Sequence, residues 1–204
     1  MPPLGVIDYG MGNLRSVLNA FEEIGHEAEL VTEADAVAGC DRVVIPGVGA
    51  FSQAMANLRR SAMDEALDRH VAAGKPLLGI CLGMQLICRE SGEDGTHEGL
   101  GWIDAQVRHF PPAEGLKVPH MGWNAIEIVH DNLLLRDVAS GADVYFVHSY
   151  YVDCTEQTDA VCDTEHGIRF ASVVARENVF GMQFHPEKSQ SVGMQLLRNF
   201  ATLQ

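Results

Sequence analysis

The chain has 204 residues, 47% of them hydrophobic, enough for one domain over 1–204 with a substantial core. Its 28 acidic and 14 basic residues give a net charge of -14, which opposes binding to nucleic acid or an anionic membrane because nothing offsets phosphate repulsion. The five cysteines (Cys40, Cys81, Cys88, Cys154 and Cys162) are odd in number and show no CxxC spacing. That pattern speaks against a disulfide framework and a zinc cluster, and neither a metal nor a cofactor is expected. Met1-Pro2-Pro3-Leu4 lacks the basic and apolar segments of a signal peptide, and no apolar run reaches the roughly 18 residues of a membrane span. A cytoplasmic location is the expectation.

Leu4 to Asp8 is a short buried-strand candidate. Leu14, Val17, Leu18, Phe21 and Ile24 then recur at helical spacing, and Gly25 can stop that helix. Glu27 to Val31 reads as a second strand and Arg42 to Ile45 as a third, ended by Pro46 and Gly47. Phe51 to Val71 reads as helix in one or two pieces, Pro76 to Ile80 as a fourth strand, and Cys81 to Glu90 as a further helix. Ser91 to Gly101 is glycine- and charge-rich and reads as a loop. Strand candidates in the second half are Trp102 to His109, Asn124 to Ile128, Val144 to Tyr150, Phe170 to Ala175 and Val179 to Phe184. A last helix carries Val192, Leu196, Phe200 and Leu203 on one face. The alternation of strands and helices implies parallel strands with crossover helices, an α/β fold. In such sheets sites form at the carboxyl ends of strands, here the turns after Ile7, Ile45 and Ile80.

The third of these turns holds the strongest candidate for chemistry. Cys81 directly follows an apolar strand, precedes a helical pattern, and has a glycine two positions away on each side, Gly79 and Gly83. This is the logic of a nucleophile elbow with Cys in place of Ser. The start of a helix favours the thiolate, and the N–H of Leu82 can face a developing oxyanion. His185 closes an apolar strand ahead of Pro186, and Glu187 stands two residues on, able to orient an imidazole. An exposed histidine beside a surface glutamate is the plainer reading of that weak spacing. Pro46-Gly47-Val48-Gly49 forms either a loop of inward-facing N–H groups or an ordinary glycine turn. Asp8-Tyr9-Gly10-Met11-Gly12-Asn13 suggests a dinucleotide fingerprint only until Arg15 occupies the place of its third glycine.

Taken together, Pro46-Gly47-Val48-Gly49, Gly79-Ile80-Cys81-Leu82-Gly83-Met84-Gln85 and His185-Pro186-Glu187 resemble, in order and spacing, the class I (triad-type) glutamine amidotransferases. The resemblance spans nearly the whole chain. It implies a three-layer open, mostly parallel sheet flanked by helices. It also implies a Cys81–His185–Glu187 triad and oxyanion N–H groups from Leu82 and the Val48-Gly49 turn. Glutamine contacts would come from Gly49, Gln85, Glu93, Ser149 and Tyr150. Val6 to Leu14, Pro119 to Asn124 and Tyr145 to Tyr150 look more narrowly like the glutaminase subunits that pass ammonia to a (β/α)8-barrel cyclase subunit, as a heterodimer, in histidine biosynthesis. That likeness places Trp123, Tyr145 and Lys188 at the partner interface, and Asn13 and Arg15 on the same rim. Rival readings are a stand-alone cysteine hydrolase, a glutaminase of another pathway such as pyridoxal phosphate synthesis, and a non-catalytic binding module. The first leaves Pro119 to Asn124 unexplained, Met121 to Asn124 counts against the second, and the intact triad counts against the third.

Overall fold

The short apolar runs of the sequence become the middle of one continuous sheet, seen in a computed structural model that describes residues 4–112 and 114–203. In chain order, β1 (Leu4–Ile7) leads to α1 (Leu14–Glu23), β2 (Ala28–Val31), a 3-10 turn (Ala34–Gly39), β3 (Arg42–Gly47), α2 (Phe51–Arg60), α3 (Met63–Ala72), β4 (Leu77–Cys81) and α4 (Leu82–Leu86). A strand-rich half follows: β5 (Cys88–Ser91), β6 (His97–Glu98), β7 (Ile103–His109), β8 (His120–Ile128), β9 (Ala142–His148), β10 (Tyr150–Cys154), β11 (Ala160–His166), β12 (Ile168–Arg176) and β13 (Val179–Met182). The chain then closes with a 3-10 turn (Pro186–Lys188) and α5 (Gln190–Ala201).

The strand order is β2-β1-β3-β4-β13-β12-β10-β7-β5-β6, with β11, β8 and β9 branching from β12. From β2 to β13 every pairing is parallel. Beyond β13 the ladders are antiparallel except β5 against β7. Within this block β1, β3, β4 and β13 are buried on both faces, as their apolar runs require, while β2 at the edge is partly exposed. Successive side chains of a strand point to opposite sides. Val43, Ile45 and Leu77 therefore meet Phe51, Leu58, Met63 and Leu67 of α2 and α3. Val6, Val44, Leu78 and Phe180 meet Val17, Phe21, Leu196 and Phe200 of α1 and α5 on the other side. Helix, sheet and helix make three layers. Arg42 fastens the last layer to the sheet, its guanidinium donating to the carbonyls of Phe200, Ala201 and Leu203 at the end of α5.

Several boundaries differ from the sequence reading. The helix expected over Cys81 to Glu90 stops at Leu86, and Cys88 to Ser91 is a strand. The N–H groups of Leu100, Gly101 and Ile103 bond to the carbonyls of Leu86, Cys88 and Ile87, so a crossing segment takes the acceptors that a further helical turn would use. The loop expected over Ser91 to Gly101 contains β6, which folds back on β5. The strand expected over Val144 to Tyr150 is two strands that part at Ser149, and the one over Asn124 to Ile128 starts earlier, at His120. β3 continues through Pro46 and Gly47, in register with Ile80 and Cys81. β11 was missed, because Asp163, Thr164 and Glu165 dilute its apolar signal.

Cys81 ends β4 with φ 54 and ψ -109, a conformation that side-chain-bearing residues rarely adopt. The turn closes because its neighbours lack side chains. A Cβ on Gly83 would overlap the Ile45 carbonyl of β3, and one on Gly79 would overlap the Gly83 carbonyl. Gly83→Ala must therefore push α4 off β3. It should lower the unfolding free energy by about 3 kcal/mol or more, read from the urea midpoint.

Candidate active site

The carboxyl ends of β3, β4 and β9 and the turn after β13 enclose a cavity of about 310 Å³, at the small end of ligand pockets. It is lined by Val48, Gly49, Cys81, Leu82, Gln85, Glu93, Val147, His148, Ser149, Tyr150 and His185. The residues that the resemblance assigned to thiol, base, oxyanion turn and glutamine contacts thus share one cavity, except Glu187, which stands behind His185. The elbow presents the Cys81 side chain, 7% exposed, at the cavity floor. Its sulfur lies 3.9 Å from the Val147 carbonyl and 3.9 Å from Nε2 of Gln183.

His185 is 3% exposed, and its Nδ1 bonds Oε1 of Glu187 at 2.8 Å. The Glu187 side chain is itself only 1% exposed. Pro186 opens a 3-10 turn that brings Glu187 back under the ring, and the His185 N–H donates to the Tyr145 carbonyl at 2.9 Å. With Nδ1 held by the carboxylate, Nε2 has no bond to the protein and is left for chemistry. Burial lowers the basicity of His185, but its interactions with the nearby Cys81, then with Glu187, and the negative charge of both raise it further, to about 9. Cys81 and Glu187 therefore both favour the imidazolium form of His185.

The remaining walls are positioned by polar contacts. Oε2 of Glu93 accepts from the Phe51 N–H at 2.7 Å, which caps the start of α2 and places the carboxylate on the rim. Gln85 Nε2 donates to the Tyr150 carbonyl at 3.1 Å and to Oε1 of Gln183 at 3.2 Å. Gly49 has φ +105, and Val48 beside it is 44% exposed. The turn they form is anchored one strand back, where the buried Tyr9 hydroxyl donates to the Pro46 carbonyl at 2.8 Å. Leu82 begins α4, but α4 has only five residues, so the helix dipole expected at the elbow is small and the imidazolium carries most of the positive field.

Gln183, His148 and Tyr9 escaped the sequence reading. Gln183 stands two residues before His185 at the strand end, a spacing that puts both side chains on one face and was a usable signal. His148 and Tyr9 carried no comparable signal. The proposed rim residues lie outside the cavity. Trp123 is 48% exposed and meets the Tyr145 ring edge-on at 6.0 Å, across the β8–β9 pairing. Lys188, Asn13 and Arg15 are exposed. Asn13 precedes α1, although its side chain does not cap it. All five cysteines are free and buried; burial raises the thiols of Cys40 and Cys88, and holds Cys154 and Cys162 at about 12. Among the described residues no group of three or more His, Cys, Asp or Glu is arranged to hold a metal, and no helix is long and apolar enough to cross a membrane.

The model of the family "Glutamine amidotransferase class-I" matches residues 5–203. A thiol on a strained elbow beside a carboxylate-bound imidazole is the arrangement such enzymes need, and the chain belongs to the class-I glutamine amidotransferases. Within that class it falls with the subunits named imidazole glycerol phosphate synthase subunit HisH. It is 46% identical to the one from Syntrophotalea carbinolica over 97% of this chain and 98% of that one. It is 48% identical to the one from Bacillus velezensis over 98% and 96%. Among solved structures, PurLQS from Thermotoga maritima shares the fold, with a TM-score of 0.77, 17% identity, and 98% and 97% of the two chains covered.

The His185–Glu187 bond makes a testable demand. Glu187→Gln removes the charge that favours the imidazolium, so the His185 pKa should fall from about 9 toward its ordinary 6.5, measured by NMR titration. The sign for stability follows. A folded-state pKa above that of the unfolded chain contributes stability that is full below pH 6.5 and is lost as pH rises toward 9. The wild type should therefore lose more stability than the variant across that window.

Proposed function

We propose that this chain is the glutaminase subunit of an imidazole glycerol phosphate synthase, hydrolysing the side-chain amide of glutamine to glutamate and ammonia. The observation that carries the reading is Cys81 at φ 54 opening into the same cavity as His185, whose far nitrogen is held by Glu187 at 2.8 Å. Nearly full-length identity of 46% and 48% to the two subunits named for that synthase supports the pathway.

In this mechanism the Cys81 thiolate attacks the amide carbon of glutamine. The oxygen gains negative charge and is met by the N–H groups of Leu82 and the Val48-Gly49 turn. His185 gives its proton to the nitrogen, the C–N bond breaks, and ammonia leaves. The thioester remains. His185, now neutral, takes a proton from water, the hydroxide attacks, the C–S bond breaks, and glutamate departs with the thiolate regenerated. Glu187 holds the ring and offsets its charge throughout. Gln85, Glu93, Ser149 and Tyr150 hold the rest of the substrate, with Glu93 suited to a cationic amino group.

The ammonia needs an acceptor. The partner is a (β/α)8-barrel cyclase subunit, docked as a heterodimer on the face that carries Asn13, Arg15, Trp123, Tyr145 and Lys188. It uses the ammonia to make imidazole glycerol phosphate and an aminoimidazole carboxamide ribotide in histidine biosynthesis, in the cytoplasm. Met121 and Trp123, 62% and 48% exposed, suit a covered face better than a stand-alone hydrolase. The test is Cys81→Ala in the assembled synthase. Glutamine-driven synthesis should fall at least about 10³-fold while ammonium-driven synthesis stays within twofold. Glutamine-driven turnover at the wild-type rate would refute the reading.

A further inference from the structure

His120 opens β8 and His148 ends β9, and the two residues are register partners across the hairpin. Both are buried, at 4% and 6% exposure, yet neither belongs to the triad. Their hydrogen bonds run in one direction only. His148 Nδ1 lies 2.8 Å from the Tyr150 carbonyl, which can only accept, so this nitrogen carries the proton. His148 Nε2 is then the acceptor for His120 Nδ1 at 3.0 Å, and His120 Nε2 the acceptor for Asn124 Nδ2 at 3.1 Å. The far end fixes the same direction independently. Asn124 Oδ1 accepts from the Ala125 N–H at 2.9 Å, and its Nδ2 also donates to the Glu165 carbonyl at 2.9 Å, so the amide cannot be turned round. Both imidazoles are thereby locked as neutral Nδ1–H tautomers, since a second proton on either would set N–H against N–H. Stacking of His120 against His166 at 4.0 Å and against Phe146 at 4.6 Å holds the ring in place.

The chain ends inside the glutamine cavity. The Tyr150 carbonyl takes its second hydrogen bond from Gln85, Gln85 reaches Gln183, and Gln183 reaches the Cys81 sulfur. The start of the same chain lies beside Met121 and Trp123 on the exposed face of β8. We propose that His120 and His148 are positioning residues for glutamine: a one-way hydrogen-bonded imidazole pair that holds the Tyr150 carbonyl, and through it the Ser149-Tyr150 edge and the Gln85 amide, in the substrate-binding geometry. The substrate in this statement rests on the glutaminase reading above; the direction of the chain does not. Loss of the pair weakens capture of the glutamine skeleton and leaves the reactivity of the thiol nearly unchanged. Mere structural support would leave capture untouched.

Two measurements decide it. Long-range ¹H–¹⁵N correlation on histidine-labelled wild type at pH 7 should show His120 and His148 neutral and protonated at Nδ1; a dominant Nε2–H tautomer or an imidazolium at either overturns the chain. The second follows alkylation of Cys81 by a chloroketone analogue of glutamine, resolved into a binding constant and a limiting rate. His148→Phe fills the space without the bonds, and should raise the binding constant about 10-fold while the limiting rate stays within twofold. His148→Gln keeps one donor and one acceptor, and should return the binding constant to within twofold of wild type. Unchanged binding in His148→Phe, or no difference between the two variants, overturns the positioning role. Should His148→Phe not fold, His120→Gln in the same assay, with His120→Phe as its partner, decides by the same criteria. A wild type that reacts with iodoacetamide but not with the glutamine analogue sinks the glutaminase reading and the substrate named here, while the tautomers still report on the chain itself.

Discussion

The close approach of α4 to β3 at Gly83, where any side chain would overlap the Ile45 carbonyl, is the constraint on which the site depends. It lets β4 turn into α4 within one residue, and that residue, Cys81, is held at a positive φ. Strain of this kind costs roughly 1–3 kcal/mol and persists only where the surroundings over-determine it. Here they do. β4 lies between β3 and β13 in a parallel block covered by helices on both faces, so the turn cannot relax without breaking ladders on each side.

From that point the rest of the cavity follows by register. Pro46 and Gly47 lie opposite Ile80 and Cys81, which brings the Val48-Gly49 turn beside the thiol. β13 pairs with β4 up to Met182, so the chain leaving it delivers Gln183 and His185 to the same end. The β8–β9 hairpin closes the third side, and the Tyr145 carbonyl binds the His185 N–H. A contact on the outer face of this hairpin and the imidazole at the centre are therefore separated by one strand.

Much of this was legible in the amino-acid order. Leu4 to Ile7, Val43 to Ile45 and Leu77 to Ile80 carry no polar side chain on successive residues, the mark of strands covered on both faces, and the α/β alternation followed from them. Cys81 was legible because a glycine stands two positions away on each side. The His185–Glu187 pair was not, on spacing alone. It needed the 3-10 turn at Pro186 to bring the carboxylate under the ring, and two residues of separation do not announce that turn. The helix that ended early at Leu86 and the missed β11 share a cause, since both are decided by backbone partners outside the segment itself. The segment around Leu100 takes the acceptors of α4, and β12 recruits the polar strand of Asp163 to Glu165. Period and propensity carry no record of such partners.

The burial of the cysteines has a practical meaning. Cys40, Cys88, Cys154 and Cys162 sit in apolar packing with their thiols held protonated, whereas Cys81 lines the site cavity. The fold thus offers an electrophile one address out of five. A reagent small enough to enter the cavity becomes a counter of intact elbows: each equivalent consumed marks one molecule in which β4, α4 and the hairpin have come together correctly.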